Sequence, residues 1–516
     1  MQTQPFRPNM ALALVAFAIV FGLMFAGARA IQADQAGFWS ISGQGLPLPT
    51  QAAVAPGAAP GQAVPQPEGP WPSPTPDPPH ALPPIRTEAE QYWVMPGDTL
   101  GEIAKKHGVS LDQIIQENSL VNPNLLEVGQ LLNIPIPLPG EASPQFKIVP
   151  DSGLVYGPDS VGFHVVEFIQ RQPGYLAGYQ EELEERSVSG AKIVERIAQE
   201  YSVDPRLLLA VLEYQSGWVT NRDPKKGTLD FPIGVNDARR RGLYRQLAYA
   251  ANQLNRGYYL WRANGAATWL LGDGSVLPIS PVINAGTAAV QHFFAGLYDR
   301  SAWETAVSPT GLYSTYNALF GYPFQNPADP LLPAGLAQPP MQLPFEPGEK
   351  WAFTGGPHGG WADGSGWAAL DFAPPGEALG CVQSNAWVVA VADGLILRTG
   401  NGAVIQDLDG DGYEQTGWTV FYMHIENRGR VEPGTYVKAG ERIGHPSCEG
   451  GVSTGTHVHI ARRYNGEWIP ADRDMPFVLD GWVSSGDGFE YNGSLKRDGT
   501  VIEAYAGRSP GNGIAR

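Results

Sequence analysis

The stretch Gly455-Thr456-His457-Val458-His459-Ile460 places two histidines two residues apart in a run that favours a β-strand. Side chains at positions i and i+2 project from the same face of a strand, so the two imidazoles are predicted to lie side by side. One of them can bind a metal ion while its neighbour faces a substrate. The segment 419–424 alternates in the same way and predicts that Tyr422 and His424 line the same groove.

Three more polar residues precede this pair: His358, Asp371 and His424. The four histidines in this set are drawn from only nine in the 516-residue chain. Zinc favours imidazole nitrogen and carboxylate oxygen, and a catalytic zinc keeps three protein ligands with one position open. Three ligands and two spare histidines therefore indicate a hydrolytic zinc site. The simpler alternative is a set of ordinary surface or core histidines.

A series of motifs in one order carries a family resemblance over about residues 345 to 475. It resembles the lysostaphin/LytM-like zinc endopeptidases, and the wide spacing from His358 to Asp371 is most similar to the β-lytic type. The lysostaphin pattern has its first histidine four residues before the aspartate, where this chain carries Trp367. The motifs are Gly355-Gly356-Pro357-His358-Gly359-Gly360, 367–376, Ala392-Asp393-Gly394, Phe421-Tyr422-Met423-His424, 437–444 and 453–459.

The resemblance implies a function and a role for each of these residues. His358, Asp371 and His459 would be the metal ligands for one Zn²⁺ per chain, and His424 and His457 the catalytic pair that handles protons and stabilises the oxyanion. The activity implied is that of a zinc metalloendopeptidase which hydrolyses peptide bonds in peptidoglycan stem or cross-link peptides. Residues 340–480 would form this catalytic domain, with 481–516 as a C-terminal extension.

The chain has two cysteines, Cys381 and Cys448, the second just before the His-x-His strand. An oxidising compartment permits a disulfide between them. The alternative, a role as soft zinc ligands, fits poorly because two thiolates plus the histidines would close a site that needs an open position.

The first thirty residues predict export. Arg7 precedes an apolar run at 11–27, and Ala28-Arg29-Ala30 has the small-x-small pattern of a signal-peptidase site. The run fits either a cleaved signal peptide or a membrane anchor that holds the protein on the outer face of the cytoplasmic membrane. Residues 31–90 are rich in proline and predict a disordered linker. A formal net charge of −17 argues against nucleic-acid binding.

Residues 91–137 form the next compact unit, with predicted strands around 92–94 and 130–135 and two helices between them. Asp98 or Thr99 can cap the first helix. The unit resembles a LysM module, which implies a peptidoglycan glycan partner; a purely architectural βααβ domain is the alternative. The glycan-binding residues implied are Gly97, Asp98, Thr99, Leu100, Pro123, Asn124 and Leu126.

The region 148–335 is predicted to be mainly helical, and one helix should begin with Asp204 as cap and Pro205 at its first position. Its opening is similar to lysozyme-like lytic transglycosylases. That family has a glutamate immediately before Ser-Gly as its general acid, whereas this chain has Gln215-Ser216-Gly217. An amide cannot donate and recover a proton. We therefore expect an inactive domain that binds glycan or acts as a spacer.

Three aspartates, Asp407, Asp409 and Asp411, begin a pattern typical of calcium loops. Its twelfth position is Trp418 instead of a bidentate glutamate, which favours a plain hairpin turn over a Ca²⁺ site.

Together these features predict a multidomain α+β protein of the cell envelope. It would comprise a small βααβ LysM module, a mainly α lysozyme-like central domain and a C-terminal antiparallel β-sheet catalytic domain. The rival hypothesis is a non-catalytic peptidoglycan-binding or regulatory cell-wall protein.

Overall fold

A computed structural model describes residues 77–83, 87–95, 98–120, 122, 126–136 and 142–516. The predicted signal or anchor segment 1–30, and most of the predicted linker, lie outside these residues. Within the described ranges, no helix has the length and apolar character needed to cross a membrane.

The first unit is a βααβ module. Strands β1 (Glu90–Trp93) and β2 (Leu131–Ile134) pair in antiparallel fashion, and helices α1 (Leu100–His107) and α2 (Leu111–Glu117) lie between them in the chain. Of the two predicted caps for α1, Thr99 serves, because its Oγ1 accepts from Glu102 N while Glu102 accepts from Thr99 N. Ser110 caps α2 in the same reciprocal way through Gln113. The buried core of the module is small and lies between helices and strands.

A mainly helical domain follows. As predicted, Asp204 caps the helix Pro205–Ser216 (α5), with Pro205 at its first position. The long helix α6 packs along α7, and apolar residues of both are buried in one core. Two short hairpins, β3–β4 and β5–β6, complete the domain. Its elements are α3 (Val165–Gln170), β3 (Gln180–Leu183), β4 (Arg186–Ser189), α4 (Gly190–Tyr201), α5 (Pro205–Ser216), α6 (Leu243–Arg262), β5 (Thr268–Leu270), β6 (Val276–Pro278), α7 (Ala285–Ala295), α8 (Arg300–Ala306) and α9 (Leu312–Phe320).

The C-terminal domain is built on a nine-stranded sheet, all of whose strands lie in the continuously described range 142–516. The path runs β13–β10–β11–β12–β15–β8–β7–β21, with β16 paired to β15, and the pairs are antiparallel. Its strands are β7 (Lys350–His358), β8 (Ala369–Ala373), β10 (Gly394–Gly400), β11 (Ala403–Asp407), β12 (Trp418–Met423), β13 (Tyr436–Val437), β15 (Val458–Tyr464), β16 (Glu467–Trp468) and β21 (Gly513–Ala515).

Smaller sheets flank it. They consist of β9 (Val388–Val389) with β14 (Arg442–Gly444), and of the meander β17 (Val478–Leu479), β18 (Trp482–Ser485), β19 (Ser494–Arg497) and β20 (Thr500–Glu503). Residues 481–516, predicted as an extension, thus supply strands to this domain, including the edge strand β21 beside β7.

The two faces of the main sheet enter different cores. Alternate residues such as Phe372, Val420 and Ile460 pack with the C-terminal meander. Their neighbours on the opposite face, among them Phe421 and Ala461, share one buried core with the helical domain. The helical domain therefore covers part of the sheet face to which His459 belongs.

Polar contacts fix this domain interface. Arg262 of α6 pairs with the buried Glu467 at 3.0 Å, and Tyr259 Oη accepts from Trp468 N at 2.9 Å. Arg398 and Arg463, which both bind the buried Glu414, also donate across the interface, to Gln199 O and to Ser202 Oγ. Residues 77–83, from the predicted linker, also lie against the helical domain, where the His80 ring stacks on Trp261.

Candidate metal centre

Strand pairing brings the predicted metal ligands together. In the β8–β15 ladder His459 lies directly opposite Asp371, and His358 is the last residue of β7, the next strand along. All three side chains are buried, with exposed fractions of 2% for His358, 7% for Asp371 and 9% for His459. Strand pairing therefore brings His459 next to two residues, His358 and Asp371, that lie more than eighty positions earlier in the sequence.

The donor atoms of this group are spaced as a tetrahedral zinc requires. His358 Nε2 lies 2.9 Å from His459 Nδ1, and Asp371 Oδ1 lies 3.3 Å from each of these nitrogens. Ligands about 2.0–2.1 Å from a tetrahedral zinc are roughly 3.3 Å from one another. Asp371 Oδ1 is buried without a hydrogen-bond partner, as expected of an atom that faces a cation.

Backbone carbonyls fix both imidazole tautomers. His358 Nδ1 donates to Gly356 O at 2.8 Å, and His459 Nε2 donates to Gly360 O at 3.2 Å. The opposite nitrogens, His358 Nε2 and His459 Nδ1, therefore present lone pairs to each other and to the carboxylate. Three electron-rich atoms at this spacing repel one another unless a cation lies between them. The donor set thus fits a bound metal ion.

The carboxylate of Asp371 is held ionised. Burial alone would raise its pKa, but interactions with the imidazoles of His358 and His457 lower the pKa of Asp371 well below its ordinary value. The strand beside it makes room through glycine, because a Cβ on Gly355 would lie 2.6 Å from Asp371 Oδ2. Gly355 is therefore a site residue that the sequence pattern did not single out.

His457 and His424 lie next to the three ligands. His457 Nε2 is 3.6 Å from Asp371 Oδ1, and the rings of His424 and His457 have centroids 4.5 Å apart. Each Nδ1 donates to a backbone carbonyl, His457 to Gly455 O at 2.7 Å and His424 to Glu449 O at 3.1 Å. Burial, and then the neighbouring histidines, lower the pKa of His424 well below its usual value. A ring that is neutral and donates from Nδ1 in this way has a bare Nε2, which can accept a proton.

One prediction about this groove is wrong. Tyr422 does not share a side with His424: its ring is fully buried in the opposite core, and its hydroxyl contacts Gln406 and Val391 N. His424 follows the end of β12 with a left-handed backbone (φ 64°), which breaks the alternation and turns its imidazole toward His457. Phe421 lies near the site instead, with its ring centroid 5.9 Å from that of His459.

The predicted disulfide is confirmed: Cys381 and Cys448 are bonded, with Cα atoms 5.7 Å apart. The bridge ties the loop after β8 to the segment before the His-x-His strand. Ser453, between Cys448 and His457, contacts both of them.

The aspartate-rich loop joins the antiparallel neighbours β11 and β12, which confirms the hairpin. The Asp407 carboxylate accepts the backbone N–H groups of Asp409, Gly410 and Gly412, so it stabilises the turn itself. Asp411 binds Tyr413 N and Thr416 Oγ1 in the same way. The three carboxylates lie close together, but those of Asp407 and Asp411 are engaged in the turn, which fits the predicted hairpin.

The predicted glycan residues of the βααβ module are only partly described. Gly97, Pro123 and Asn124 lie outside the described residues. Asp98 accepts from Tyr92 Oη and Met95 N, Thr99 caps α1, and Leu126 packs at the edge of the core. Leu100 is 4% exposed and belongs to that core, so its side chain serves packing.

In the helical domain, Gln215 occupies the position, immediately before Ser216-Gly217, at which the similar transglycosylases have a general acid. Its Nε2 donates to Ile233 O at 2.7 Å, and its Oε1 accepts from Tyr298 Oη. The nearby Glu213 accepts from Val219 N and Thr220 N and is committed to the end of α5. Both side chains are thus engaged in local hydrogen bonds.

The C-terminal meander supplies a contact that sequence reasoning missed. The ring of Tyr491 stacks on the His358 imidazole with centroids 4.3 Å apart and planes 20° apart. Because Tyr491 lies 133 positions beyond His358, outside every motif quoted above, no sequence signal pointed to it.

Three known protein families match separate parts of the chain. The LysM domain matches residues 92–135, the LasA N-terminal domain residues 147–334, and peptidase family M23 residues 376–470. The match to the helical region is thus to a LasA domain. His424, His457 and His459 fall inside the M23 match, whereas His358 and Asp371 precede it.

Individual proteins are similar to parts of this chain. Protease LasA of Pseudomonas aeruginosa is 27% identical over 344 residues, 62% of this chain and 74% of its own length. The N-acetylmuramoyl-L-alanine amidase XlyA of Bacillus subtilis is 36% identical over 93 residues, 18% of this chain and 30% of its own. A solved M23 metalloprotease, pseudoalterin from the deep sea, is 23% identical over 36% of this chain and 100% of its own, with a TM-score of 0.29. The M23 match, the LysM match and the similarity to LasA together support a LysM-containing peptidase of the M23 type.

Proposed function

We propose that this protein is an exported zinc metalloendopeptidase that hydrolyses peptide bonds in the stem or cross-link peptides of peptidoglycan. The observation that carries the proposal is the buried trio of His358, Asp371 and His459, whose three lone-pair atoms lie 2.9–3.3 Å apart. A LysM match in the same chain supports the peptidoglycan substrate.

His358 Nε2, His459 Nδ1 and Asp371 Oδ1 would hold one zinc ion per chain. Zinc with three protein ligands lowers the pKa of a coordinated water to about 7 and polarises a carbonyl as a Lewis acid. The protein holds these donor atoms in position and shields them from bulk water. The carbonyls of Gly356 and Gly360 do this by holding the two imidazoles in the tautomers that expose the ligand nitrogens.

His457 is proposed as the general base. Its Nδ1 proton is held by Gly455 O, so Nε2, 3.6 Å from Asp371 Oδ1, is free to take the proton of an attacking water. The protonated ring can then return this proton to the leaving amine.

His424 is proposed to stabilise the oxyanion or to protonate the leaving amine. Because its Nδ1 hydrogen is held by Glu449 O, the neutral ring has no proton at Nε2 to donate. His424 can fill either role only after Nε2 gains a proton. The 4.5 Å separation between the His424 and His457 rings supports a proton shared within the pair.

The other domains are proposed to direct the enzyme without adding chemistry. The LysM module would bind the glycan strands, since a second attachment raises the local concentration of substrate at the catalytic site. The helical domain would act as a catalytically silent glycan-binding or spacing element, because Gln215 replaces the acid and Glu213 is engaged in local hydrogen bonds.

The proposed location is outside the cytoplasm. The disulfide supports it, since such bonds persist in oxidising compartments. The charge and hydropathy pattern of residues 1–30 supports export as well, by cleavage of a signal peptide or by retention of an anchor.

Digestion of purified peptidoglycan tests the proposal. The full chain, freed of residues 1–30, is incubated with sacculi, and the released muropeptides are analysed by mass spectrometry. We expect products cut within stem or cross-link peptides with intact glycan, and no release by the Asp371→Ala variant. Binding to sacculi without any release would favour the non-catalytic wall protein. Cleaved glycan with intact stem peptides would contradict the inert helical domain, and cleavage of Gly-rich proteins without wall lysis would contradict the substrate.

A further inference from the structure

The loop that precedes β19, residues 489–493, lies directly against the segment that carries His358. Gly356 N donates to Tyr491 O at 2.8 Å, and Tyr491 N donates to Pro357 O at 3.1 Å. In this part of the sheet β7 departs from its ladder with β8, with register shifts between Phe353 and Gly355 and between Gly355 and His358. The loop therefore supplies backbone hydrogen bonds where strand pairing is irregular.

The approach of the two segments is close. A Cβ on Gly356 would lie 2.2 Å from Asn492 O, and a Cβ on Gly493 would lie 2.8 Å from Pro357 Cδ. Glycine is thus required on both sides of the contact. Tyr491 itself has a left-handed backbone (φ 68°). For residues other than glycine, asparagine and aspartate, this conformation costs free energy. The surrounding contacts hold it there.

Two contacts lead from this loop to the imidazole of His358. Tyr491 O accepts from Gly356 N, and Tyr491 N donates to Pro357 O, so the loop holds the segment Gly356-Pro357 at both ends. The carbonyl of Gly356 accepts from His358 Nδ1, which points Nε2 at Asp371 and His459. The Tyr491 ring lies parallel to the imidazole at 4.3 Å, which limits rotation of the imidazole about its χ2 bond. A third contact, Glu490 Oε1 with Gly359 N at 3.2 Å, secures the residue after the ligand.

We propose that Tyr491 is a positioning residue for the metal centre: its ring and backbone hold the His358 imidazole in the orientation that binds zinc. The inference rests on the proposed function, because it assumes that His358 is a ligand. It assigns to the C-terminal meander, which lies outside the residues matched to family M23, a part in building the site.

Substitutions at position 491 separate the ring from the backbone. Tyr491→Phe keeps the stacked ring. Tyr491→Gly and Tyr491→Asn remove it while tolerating the left-handed backbone. Phe489→Ala, on a neighbouring side chain that is 70% exposed, is the matched control. Each protein is stripped of metal and titrated with zinc against a chelator of known affinity. The Co²⁺-loaded forms are compared by visible absorption, and the metal-free forms by thermal unfolding.

We expect Tyr491→Phe and Phe489→Ala to bind zinc within about threefold of wild type, since an aromatic stack is retained or untouched. Tyr491→Gly and Tyr491→Asn should bind roughly tenfold or more weakly, as for other residues that orient a ligand. Their Co²⁺ spectra should change, while the melting temperature of the metal-free protein stays close to wild type.

Unchanged zinc affinity and an unchanged Co²⁺ spectrum in Tyr491→Gly would overturn the proposal. Equal weakening in Tyr491→Phe would also overturn it, since stacking would then not be the cause. If Tyr491→Gly and Tyr491→Asn both lose zinc affinity and the melting temperature of their metal-free forms also falls strongly, Tyr491 has only a structural role and the proposal fails. A wild-type protein that binds no metal would instead contradict the proposed function itself.

Discussion

At the scale of single residues, the site is defined by which nitrogen of each imidazole faces inward. Carbonyls of Gly356 and Gly360 expose Nε2 of His358 and Nδ1 of His459, while His457 and His424 each turn a bare Nε2 toward the same space. This arrangement separates residues that hold the ion from residues that handle protons. The two groups should therefore respond differently to substitution.

His457→Ala removes the proposed base but none of the three ligand atoms. We expect full zinc content and a kcat lower by about 100- to 10,000-fold, the usual contribution of a general base. Zinc analysis and the rate of muropeptide release check this on the same preparation. His164→Ala, on an exposed histidine at the start of α3, is the control and should match wild type. Loss of zinc, or near-normal turnover, would contradict the assignment.

A second residue-scale prediction concerns pH. Burial of Glu467 at the domain interface raises its pKa to about 7, despite its contact with Arg262. The folded protein therefore holds more protons than the unfolded chain between about pH 4.5 and 7, so ionisation of Glu467 lowers the free energy of unfolding as pH rises. Below this window the carboxyl group is protonated in both the folded and the unfolded state, so its ionisation does not change the free energy of unfolding.

Glu467→Gln should remove this dependence. Relative to the variant, wild type should lose up to about 3 kcal/mol of unfolding free energy as pH rises through the window. Urea unfolding at a series of pH values measures the difference. Glu503→Gln, on an exposed strand residue, should keep the wild-type pH profile. Parallel profiles for wild type and Glu467→Gln would refute the argument.

At the scale of elements, the residues themselves predicted local features and, apart from the disulfide, no long-range contacts. The helix start at Asp204-Pro205 follows from neighbouring residues and was correct, and the predicted strand around the two histidines is present from Val458 onward. The pairing of His459 with Asp371 depends on which strands meet, and only the family resemblance indicated it. Tyr422 was misplaced because strand alternation does not foresee the left-handed turn at His424. The Tyr491 stack joins distant segments and leaves no periodic signal.

The disulfide is the covalent link between two of these elements. It joins residues 67 positions apart and closes a loop that contains the strands β9 to β14. The bridge therefore strongly reduces the conformational freedom of the unfolded chain. On the chain-entropy argument, Cys381→Ser with Cys448→Ser should lower the free energy of unfolding by about 4 kcal/mol. Denaturant unfolding under oxidising conditions measures this. Reductant should destabilise wild type and leave the double variant unchanged; a reductant effect on both would show another cause.

At the scale of the whole molecule, the helical and catalytic domains share one buried core. Tyr201 of α4 contacts Trp361, Trp361 contacts Phe421, and Phe421 contacts His459, so an aromatic chain runs from the helices to the metal centre. The ion pairs of Arg262 with Glu467 and of Arg256 with Asp363 span the same interface. The two domains are coupled by packing as well as by charge.

This coupling predicts that both domains unfold in one cooperative transition. If one domain unfolds, the apolar side chains of the other domain that line the shared core become exposed to water, which destabilises that domain as well. Calorimetry of the metal-free protein should show a single main transition for residues 142–516. Far-ultraviolet circular dichroism, which reports mainly the helices, and near-ultraviolet signals from buried tryptophans should coincide. Two well-separated transitions, one for each domain, would contradict a shared core.

The central claim is that His358, Asp371 and His459 hold one zinc ion, and metal analysis of the purified protein tests it most directly. Atomic absorption of wild type, Asp371→Ala, His459→Ala and the control His164→Ala, each dialysed against trace zinc, gives the stoichiometry. The account predicts one zinc per chain in wild type and the control, and almost none in the two ligand variants. A wild-type protein without zinc, or an Asp371→Ala variant that retains it, would contradict the account.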